Sequence, residues 1–238
     1  MDMKIALDLC SGGHGWTSGL DPKKWIVISV ELETDYPATI HGDITDSDMF
    51  DRIEAELKKH GRHYTDLILF SPPCKSFSIA GCWKHWTAPP ERKPKTEAAV
   101  KALEIVHAGL EIINKFCDKP KEYGTVGWVM ENPRGLMRKM GCVEKKVFSM
   151  GGAMHTVTYC QYGHTNQKPT DLWTNIHRWK PRPMCRRGEP CHASAPRGSN
   201  LGTQLPGMTY LERSLVPQEL SEEVGTAYLK PNTDNEWM

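Results

Sequence analysis

Short apolar runs alternate with amphipathic stretches over the first half of the chain. The apolar runs are bounded by polar, glycine or proline positions, which predicts buried strands. Two longer stretches place apolar residues three or four positions apart, the spacing of one helix face. The predicted strands are residues 4–9, 25–30, 67–70 and 126–130, and the predicted helices are residues 48–60 and 96–117. Strands that alternate with helices predict an α/β domain built on a mostly parallel sheet.

The pattern changes in the last third of the chain. Residues 155–162 alternate loosely and predict a strand, and residues 167–175 lead into another. Residues 176–208 are rich in proline, glycine and arginine, and residues 217–229 predict a last helix that begins at a proline. We therefore predict three regions, at residues 1–175, 176–208 and 209–238.

The composition fits a globular protein that works in a reducing compartment. The chain has 238 residues, of which 39% are hydrophobic and 25% charged, enough to bury a core. Its net charge of +1 means that a polyanionic partner would have to meet local basic patches. Eight cysteines without a secretory signal favour thiol or metal chemistry over a disulfide framework. No apolar run reaches membrane-spanning length, and we expect a cytoplasmic monomer with no membrane partner.

A cysteine follows the strand at 67–70 on a stiff corner of the chain. Pro72 and Pro73 end the strand pairing before Cys74, because neither donates a backbone hydrogen bond and both fix φ. Ligands of open α/β sheets bind beyond the carboxyl ends of the strands, so Cys74 is a candidate nucleophile. The alternative is a small buried thiol in a turn, which is what most free cysteines are.

A carboxyl group follows the strand at 126–130 in the same way. Glu131, Asn132 and Pro133 come at the end of this strand, and the proline again closes the pairing. The carboxyl ends of parallel strands meet at one edge of a sheet, so Cys74 and Glu131 are predicted to converge on one crevice. This convergence favours the catalytic interpretation of Cys74.

Glycines and acidic residues follow the first two strands. Three glycines between positions 12 and 15 would let the backbone turn tightly and approach a ligand. Glu31 closes the second strand, where nucleoside-binding α/β folds hold ribose hydroxyls, and Asp43 follows a short strand where it would meet an adenine amino group. The alternatives are an ordinary turn and solvated charges.

Residues 79–95 form a long polar stretch after Cys74. A loop of this length in a compact domain is usually a lid or a binding loop. Its basic residues beside Trp86 suit a nucleic-acid backbone and base, although a disordered insertion is the alternative. The basic residues are Lys84, His85, Arg92, Lys93 and Lys95.

Taken in order, these motifs resemble those of the DNA cytosine-C5 methyltransferases over nearly the whole chain. Residues 8–15 are similar to the cofactor loop of that family, residues 71–74 to its nucleophile motif, and residues 131–132 to its second catalytic motif. The resemblance implies a Rossmann-like α/β methyltransferase fold with a short target-recognition insertion at 176–208. It also implies S-adenosyl-L-methionine as cofactor and double-stranded DNA as partner.

The resemblance assigns three groups of residues, one to each role in the reaction. The implied catalytic residues are Cys74, Glu131 and Asn132. The implied cofactor-binding residues are Asp8, Cys10, Ser11, Gly12, Gly13, Gly15, Glu31, Leu32, Asp43, Ile44, Ser71 and Pro73. The implied DNA-binding residues are Lys75, Ser76, Arg134, Gln167, Lys168, Arg186, Arg187 and Arg197.

The residue types suit this chemistry. Cytosine C5 is a poor nucleophile, and addition of a thiolate to C6 makes an enamine whose C5 accepts a methyl group. Glu131 would hydrogen bond at N3 and the exocyclic amine and so take up electron density from the ring. Because C6 cannot be reached inside a duplex, the base must be flipped out.

The chain departs from the family pattern at three places. Lys75 stands where the family usually has glutamine, and the two arginines that usually follow Gln167 are absent, so Lys168 or Arg134 must replace them. The recognition region at 176–208 is much shorter than is usual in the family. Residues 213–217 resemble the small phage-type branch, which implies the host-cell cytoplasm. Because the recognition region offers few side chains, it can specify a site of only about two to four base pairs. The candidate base readers are Arg178, Lys180, Arg182, Arg186, Arg187, Arg197, Asn200 and Gln204.

Three alternatives stay open. An RNA-directed cytosine-C5 methyltransferase would share the nucleophile and glutamate motifs, and a cofactor-binding protein without activity would keep the fold. In addition, Cys185, Cys191 and His192 are candidate zinc ligands that Cys160 or His164 would complete. A structural zinc unit of this kind would be independent of catalysis, and the alternative is a set of plain thiols.

Overall fold

The computed structural model describes residues 3–118, 125–186, 188–193 and 208–230. Within these ranges seven strands form one sheet. The strands are β1 (Lys4–Leu9), β2 (Trp25–Glu31), β3 (Ile40–His41), β4 (Leu67–Phe70), β5 (Gly127–Pro133), β6 (Ala153–Thr158) and β7 (Pro169–Thr174). The α-helices are α1 (Met49–Lys59), α2 (Cys82–His85), α3 (Glu97–Cys117), α4 (Gly141–Ser149), α5 (Tyr210–Ser214) and α6 (Gln218–Leu229). Short 3-10 turns lie at Thr17–Gly19, Met137–Lys139 and Tyr159–Tyr162.

The strand order is β3-β2-β1-β4-β5-β7-β6. Strands β1 to β5 pair in parallel, and β7 is antiparallel to both of its neighbours, β5 and β6. The chain changes direction across the sheet between β1 and β4, which creates a crevice at their carboxyl ends. The Rossmann-like α/β fold predicted from the sequence is confirmed by this sheet.

Alternate residues of each central strand enter two separate cores. In β1, Ile5, Leu7 and Leu9 pack on one face of the sheet with the apolar sides of α1, α3 and α4. Ala6 points to the opposite face, where the core includes Leu220 and Val224 of α6. Both faces of the sheet are therefore covered, as continuous apolar strands require.

Two predicted boundaries were wrong, and two helices outside residues 79–95 were not predicted. β5 does not end before Glu131 but continues to Pro133, because β7 supplies antiparallel partners for residues 131–133. The strand predicted at 155–162 ends at Thr158, and a 3-10 turn follows. Helix α4 and the short helix α5 were not predicted; the apolar residues of α4 are few, with Val143 and Val147 buried.

The polar stretch at 79–95 is ordered and includes α2. Trp86 is 3% exposed and stacks on Phe77 with 5.3 Å between ring centroids, and its Nε1 donates a hydrogen bond to the carbonyl oxygen of Ser76. The proposed stacking of Trp86 on a base was therefore wrong, because the ring is part of the core. Trp83, by contrast, is 66% exposed.

The described part of residues 176–208 has neither helix nor strand and packs against α6. Two of the predicted base readers are engaged there. Arg178 donates to the carbonyl oxygens of Tyr228 and Lys230, and Arg182 forms ion pairs with Glu219 and Glu223. Asn200 and Gln204 lie outside the described residues. Across the described ranges, no helix combines the length and apolar character needed to span a membrane.

Candidate active site

A cavity of about 1070 Å³ opens at the crevice between β1 and β4. One end is formed by the loop that follows β1 and the other by the corner that follows β4. Residues of β5, of the loop before β7 and of the segment around α5 close its sides. The predicted residues that line it are Asp8, Cys10, Ser11, Gly12, Gly13, Gly15, Ser71, Pro73, Cys74, Glu131, Arg134 and Lys168.

Cys74 is held at this cavity by bonds on both sides of the corner. The Ser71 amide donates to the Leu9 carbonyl at 3.2 Å, and the Phe77 amide donates to the Cys74 carbonyl at 3.0 Å. Asn132 Nδ2 donates to the Pro72 carbonyl at 3.1 Å. The two prolines remove donors, so the corner depends on these few bonds for its position.

The electrostatic setting of Cys74 keeps its sulfur protonated in the free protein. Burial and the nearby Glu131 carboxylate raise the pKa of the Cys74 thiol, while the Lys168 ammonium acts in the opposite direction. A thiol becomes an effective nucleophile only as the thiolate. A change in charge at Glu131 on substrate binding would therefore also favour ionisation of Cys74.

Glu131 lies inside β5 and is 4% exposed. Its Oε1 accepts a hydrogen bond of 2.8 Å from Tyr159 Oη and lies 4.0 Å from Lys168 Nζ. Burial and the Glu131 carboxylate raise the pKa of Tyr159 well above its usual value, so the phenol remains a donor. Tyr159 and Lys168 thus fix one carboxylate oxygen at the cavity.

Within the described part of the chain, two buried polar atoms lack partners at the end of β1 and in the loop that follows it, and their residues line the cavity. Asp8 is 1% exposed, and neither its Oδ2 nor the Oγ of Ser11 has a hydrogen-bond partner among the described residues. Burial, and then the charge of Glu31, raise the pKa of Asp8 to about 8. Buried polar atoms without partners are costly, so their position at a cavity indicates a bound group that supplies the missing bonds.

The backbone of this loop has little room for side chains. Gly12 has φ of +46°, and its amide donates to Glu31 Oε2 at 2.6 Å. A Cβ on Gly15 would lie 2.5 Å from the amide nitrogen of Val216. Glycine at position 15 thus permits the last part of the chain to close on the loop.

Four predicted cofactor residues do not line the cavity. Both carboxylate oxygens of Glu31 accept backbone amides, from Gly12 and from Leu32 and Glu33. Leu32 itself is 53% exposed, and Ile44 is buried.

Asp43, the fourth of these residues, is also engaged within the protein. It bonds Thr45 and forms a 2.8 Å ion pair with Lys101, and these contacts lower its pKa to about 2. In this structure Glu31 and Asp43 shape loops beside the cavity.

The predicted DNA-binding residues fall into several settings. Lys75, Arg134 and Arg186 are exposed. Gln167 donates to the Cys185 carbonyl. Ser76 is 5% exposed, so a contact of its hydroxyl with DNA stays a prediction. Arg187 and Arg197 lie outside the described residues.

Sequence reasoning missed two contributors to the site. Tyr159, the partner of Glu131, was placed within a strand, whereas the 3-10 turn directs its hydroxyl into the site. Trp16 was also missed, although its Nε1 donates to Ser71 Oγ at 3.0 Å and so joins the two loops of the cavity. Trp16 stands next to the glycine motif, and buried Trp usually bonds through its polar tip, so a signal was available for this residue. Tyr159 stands beside no motif, so the sequence carried no such signal for it.

The cavity fits the cofactor implied by the sequence. S-adenosylmethionine has an ammonium group, hydroxyls and an adenine, all of which can donate hydrogen bonds. Asp8 Oδ2 and Ser11 Oγ have no hydrogen-bond partner among the described residues, and both residues line the cavity. Cys74 and Glu131 lie on the same cavity, so a group held at the first loop shares a continuous space with them.

No protein-family model and no curated protein matches this chain. Among solved structures, the Dnmt2 methyltransferase of S. pombe is similar at 14% identity and TM-score 0.48, over 73% of this chain and 49% of that one. The Entamoeba histolytica methyltransferase EhMeth is similar at 12% identity and TM-score 0.48, over 73% and 53%. A mutant of Spodoptera frugiperda DNMT2 is similar at 20% identity and TM-score 0.40, over 78% and 54%.

The chain spans about half the length of these solved structures. At these TM-scores the likenesses carry no weight for function. The contacts of the protein's own residues are therefore the basis for inferring its chemistry.

Proposed function

We propose that this protein is an S-adenosylmethionine-dependent DNA cytosine-C5 methyltransferase that acts through Cys74. The observation that supports this best is the shared cavity of Asp8, Cys74 and Glu131. A thiol alone or a glycine loop alone is a weak signal. Together they bring a nucleophile, a carboxyl group and unpaired acceptors for a ligand into one space of about 1070 Å³.

The roles of the residues follow from their contacts. Cys74, on the corner that Asn132 holds through the Pro72 carbonyl, would lose its thiol proton to water and form a bond from Sγ to C6 of a flipped cytosine. Glu131, oriented by Tyr159, would hydrogen bond the pyrimidine edge and stabilise charge that develops there during addition. When bound, S-adenosylmethionine supplies an electrophilic methyl group.

The reaction ends when C5 of the cytosine gives its proton to a water molecule acting as base. The electron pair of that C–H bond restores the ring double bond, and Cys74 leaves C6. Lys168, whose Nζ lies 4.0 Å from Glu131 Oε1, supplies a positive charge beside that carboxyl group. That charge acts to lower the pKa of the Cys74 thiol and so favours its thiolate.

The exposed cations around the cavity support DNA as the substrate. Lys75 follows the nucleophile directly, and Arg134 lies on the cavity rim. Phosphate contacts from such side chains position a duplex without reading its sequence. The short region at 176–208 supports a small phage-type enzyme that acts as a monomer in the cytoplasm of its host and reads a short site.

Labelled-methyl transfer to duplex DNA, with tRNA as the competing substrate, tests this proposal. We expect label on cytosine C5 of DNA, loss of label with Cys74→Ser, and retention with Cys142→Ser, which changes an exposed cysteine on α4. Label on tRNA but not on DNA would show that the substrate is RNA and would contradict the proposal. Cofactor binding without any transfer would make the protein a binding module.

A further inference from the structure

Three thiols and one imidazole converge at a second place in the molecule. Cys160 lies in the 3-10 turn after β6, while Cys185, Cys191 and His192 lie in the irregular segment after β7. One ligand atom from each of the four lies within 4.8 Å of all the others. None of these four is among the residues that line the Cys74 cavity.

The separations between these atoms lie near those of a tetrahedral metal site, with the sulfur atoms of Cys185 and Cys191 closer together than the ion would hold them. Cys191 Sγ lies 3.2 Å from Cys185 Sγ and 3.7 Å from Cys160 Sγ. His192 Nδ1 lies 3.3 Å from Cys185 Sγ and 3.7 Å from Cys191 Sγ. With Zn–S near 2.3 Å and Zn–N near 2.0–2.1 Å, tetrahedral ligands are about 3.8 Å (S to S) and about 3.5 Å (S to N) apart.

We infer that Cys160, Cys185, Cys191 and His192 bind one structural Zn²⁺ ion. Four protein ligands complete the tetrahedron and leave no position for water or substrate, which is the mark of a structural rather than a catalytic site. Thiolate and imidazole ligands in this number select zinc over the hard cations. Binding would displace the three thiol protons to solvent.

A disulfide is a poorer account of the same cluster. Sulfur atoms in a disulfide are about 2.05 Å apart, and no pair here approaches that distance. Three thiols would also leave one unpaired. The imidazole at 3.3 Å from Cys185 Sγ would have no part in a disulfide, whereas it completes a metal site.

Neighbouring residues form hydrogen bonds to the candidate ligands and to their backbone. Gln161 Nε2 donates to Cys191 Sγ at 3.3 Å, as donors commonly do to metal-bound sulfur. The Cys185 amide donates to Thr158 Oγ1 at 2.8 Å, and its carbonyl accepts from Gln167 Nε2 at 3.2 Å. These bonds fix the cysteine backbone before any ion binds.

A metal explains how this part of the chain keeps its shape. The described residues between Asn175 and Thr209 contain no helix or strand, so few backbone bonds hold them. Small irregular units of this kind are usually stabilised by a metal or by disulfides. The ion would fasten residues 185–192 to the turn that follows β6.

The same turn begins at Tyr159, next to the ligand Cys160. Tyr159 Oη donates to Glu131 at 2.8 Å, so the ion would also hold the partner of the catalytic carboxylate. This second consequence rests on the proposed methyl transfer. The metal site itself does not.

Metal analysis of the full-length protein, purified without chelator or affinity metal, tests the inference. We expect about one zinc per chain in the wild type. Cys191→Ser and His192→Ala should retain less than about a tenth of that, and Cys142→Ser should retain all of it.

Cobalt(II) exchange into the wild-type protein gives an independent readout that needs no variant to fold. Three thiolates and one imidazole should produce the intense visible bands of tetrahedral cobalt and a thiolate-to-cobalt charge-transfer band. Wild-type protein that binds less than about a tenth of an equivalent of zinc after incubation with the ion overturns the inference. So does a Cys185–Cys191 disulfide in a peptide map of freshly purified protein. Neither result depends on methyl transfer.

Discussion

Asn132 Nδ2 donates a hydrogen bond of 3.1 Å to the carbonyl oxygen of Pro72, from β5 to the corner after β4. Both residues are buried, and the bond joins the chain segment of Glu131 to that of Cys74. The Asn132 amide therefore joins the strand that carries Glu131 to the corner that carries Cys74. In the proposed reaction we expect Asn132 to act as a positioning residue.

Asn132→Ala should lower both stability and the rate of methyl transfer. The Pro72 carbonyl would be left buried without a partner, at a cost of about 1–3 kcal/mol in the free energy of unfolding. Urea unfolding and single-turnover rates measure the two effects. Asn114→Ala is the matched control, since Asn114 bonds Asp118 on the exposed side of α3 and should cost at most about 0.5 kcal/mol. Equal stability for Asn132→Ala and wild type would contradict this prediction.

DNA that contains 5-fluorocytosine should be trapped on Cys74. The fluorine at C5 cannot leave as a proton does, so the adduct between Sγ and C6 persists after methyl transfer. A denaturing gel should show the covalent complex when S-adenosylmethionine is present, and Cys74→Ser should remove both the complex and turnover, the latter by several orders of magnitude. Undiminished turnover by Cys74→Ser would refute covalent catalysis at this residue.

Tyr159→Phe should slow turnover while the fold is retained. The change removes the hydroxyl that orients Glu131 but keeps the buried ring. Hydrogen bonds to charged groups contribute about 1.5–3 kcal/mol, which corresponds to about a 10- to 100-fold fall in kcat.

Tyr162→Phe is the control for Tyr159→Phe. Tyr162 lies in the same turn, but its hydroxyl accepts a bond from the Arg182 amide, away from Glu131. Its kcat should stay close to that of wild type, with comparable circular dichroism for both variants. Equal kcat in the two variants would show that the Tyr159 hydroxyl has no role in turnover.

Because the pKa of Asp8 is raised in the folded protein, the free energy of unfolding should fall as the pH rises from about 4 to about 8. Burial raises its folded pKa to about 8, so the folded protein retains a proton that the unfolded chain releases near pH 4. The free energy of unfolding falls with pH wherever the folded state binds more protons.

Urea unfolding across this pH range, with Asp8→Asn as the variant, measures the effect. The variant should lose less stability between about pH 5 and about pH 8 than the wild type. Asp43→Asn is the control: the pKa of Asp43 is lowered to about 2, so that carboxyl titrates below the window and the slope within it should not change. If the free energy of unfolding changed with pH equally in Asp8→Asn and in the wild type, the raised pKa of Asp8 would be ruled out.

Methylation mapping should return a site of about two to four base pairs. Each bidentate base contact discriminates by about 1–3 kcal/mol, and Arg178 and Arg182 are engaged by α6, so few base readers remain. Arg186→Ala should either weaken all sites equally, as a phosphate contact would, or relax one position of the motif. Lys58→Ala, at the far end of α1, is the control. A single motif of six or more defined base pairs would contradict a short site.

The strands with continuous apolar runs were predicted best. β1 and β4 begin and end at the predicted residues, because strands buried on both faces need an unbroken apolar run. The end of β5 was missed since its last three residues pair with β7, which is more than thirty positions later in the chain. Long-range pairing of this kind leaves no local pattern.

The sequence motifs predicted where the site lies. They did not predict the residues whose roles depend on tertiary contacts. The crevice between Cys74 and Glu131 follows from parallel strands that end together, so the sequence was sufficient. Trp86 stands among basic residues and suggested a surface role, yet it packs on Phe77. Tyr159 could not be found because the 3-10 turn that directs its hydroxyl has no distinct pattern.

The contact between Gly15 and Val216 sets a time at which the first loop can close during synthesis. The two residues are separated by two hundred positions in the chain, yet their backbones lie against each other. At about 5–20 residues per second, roughly 10–40 s pass between the synthesis of one and of the other. A nascent chain therefore contains Cys74 and Glu131 before the wall beside Gly15 has been synthesised. The cavity is complete only after Val216 has been synthesised and has packed against Gly15.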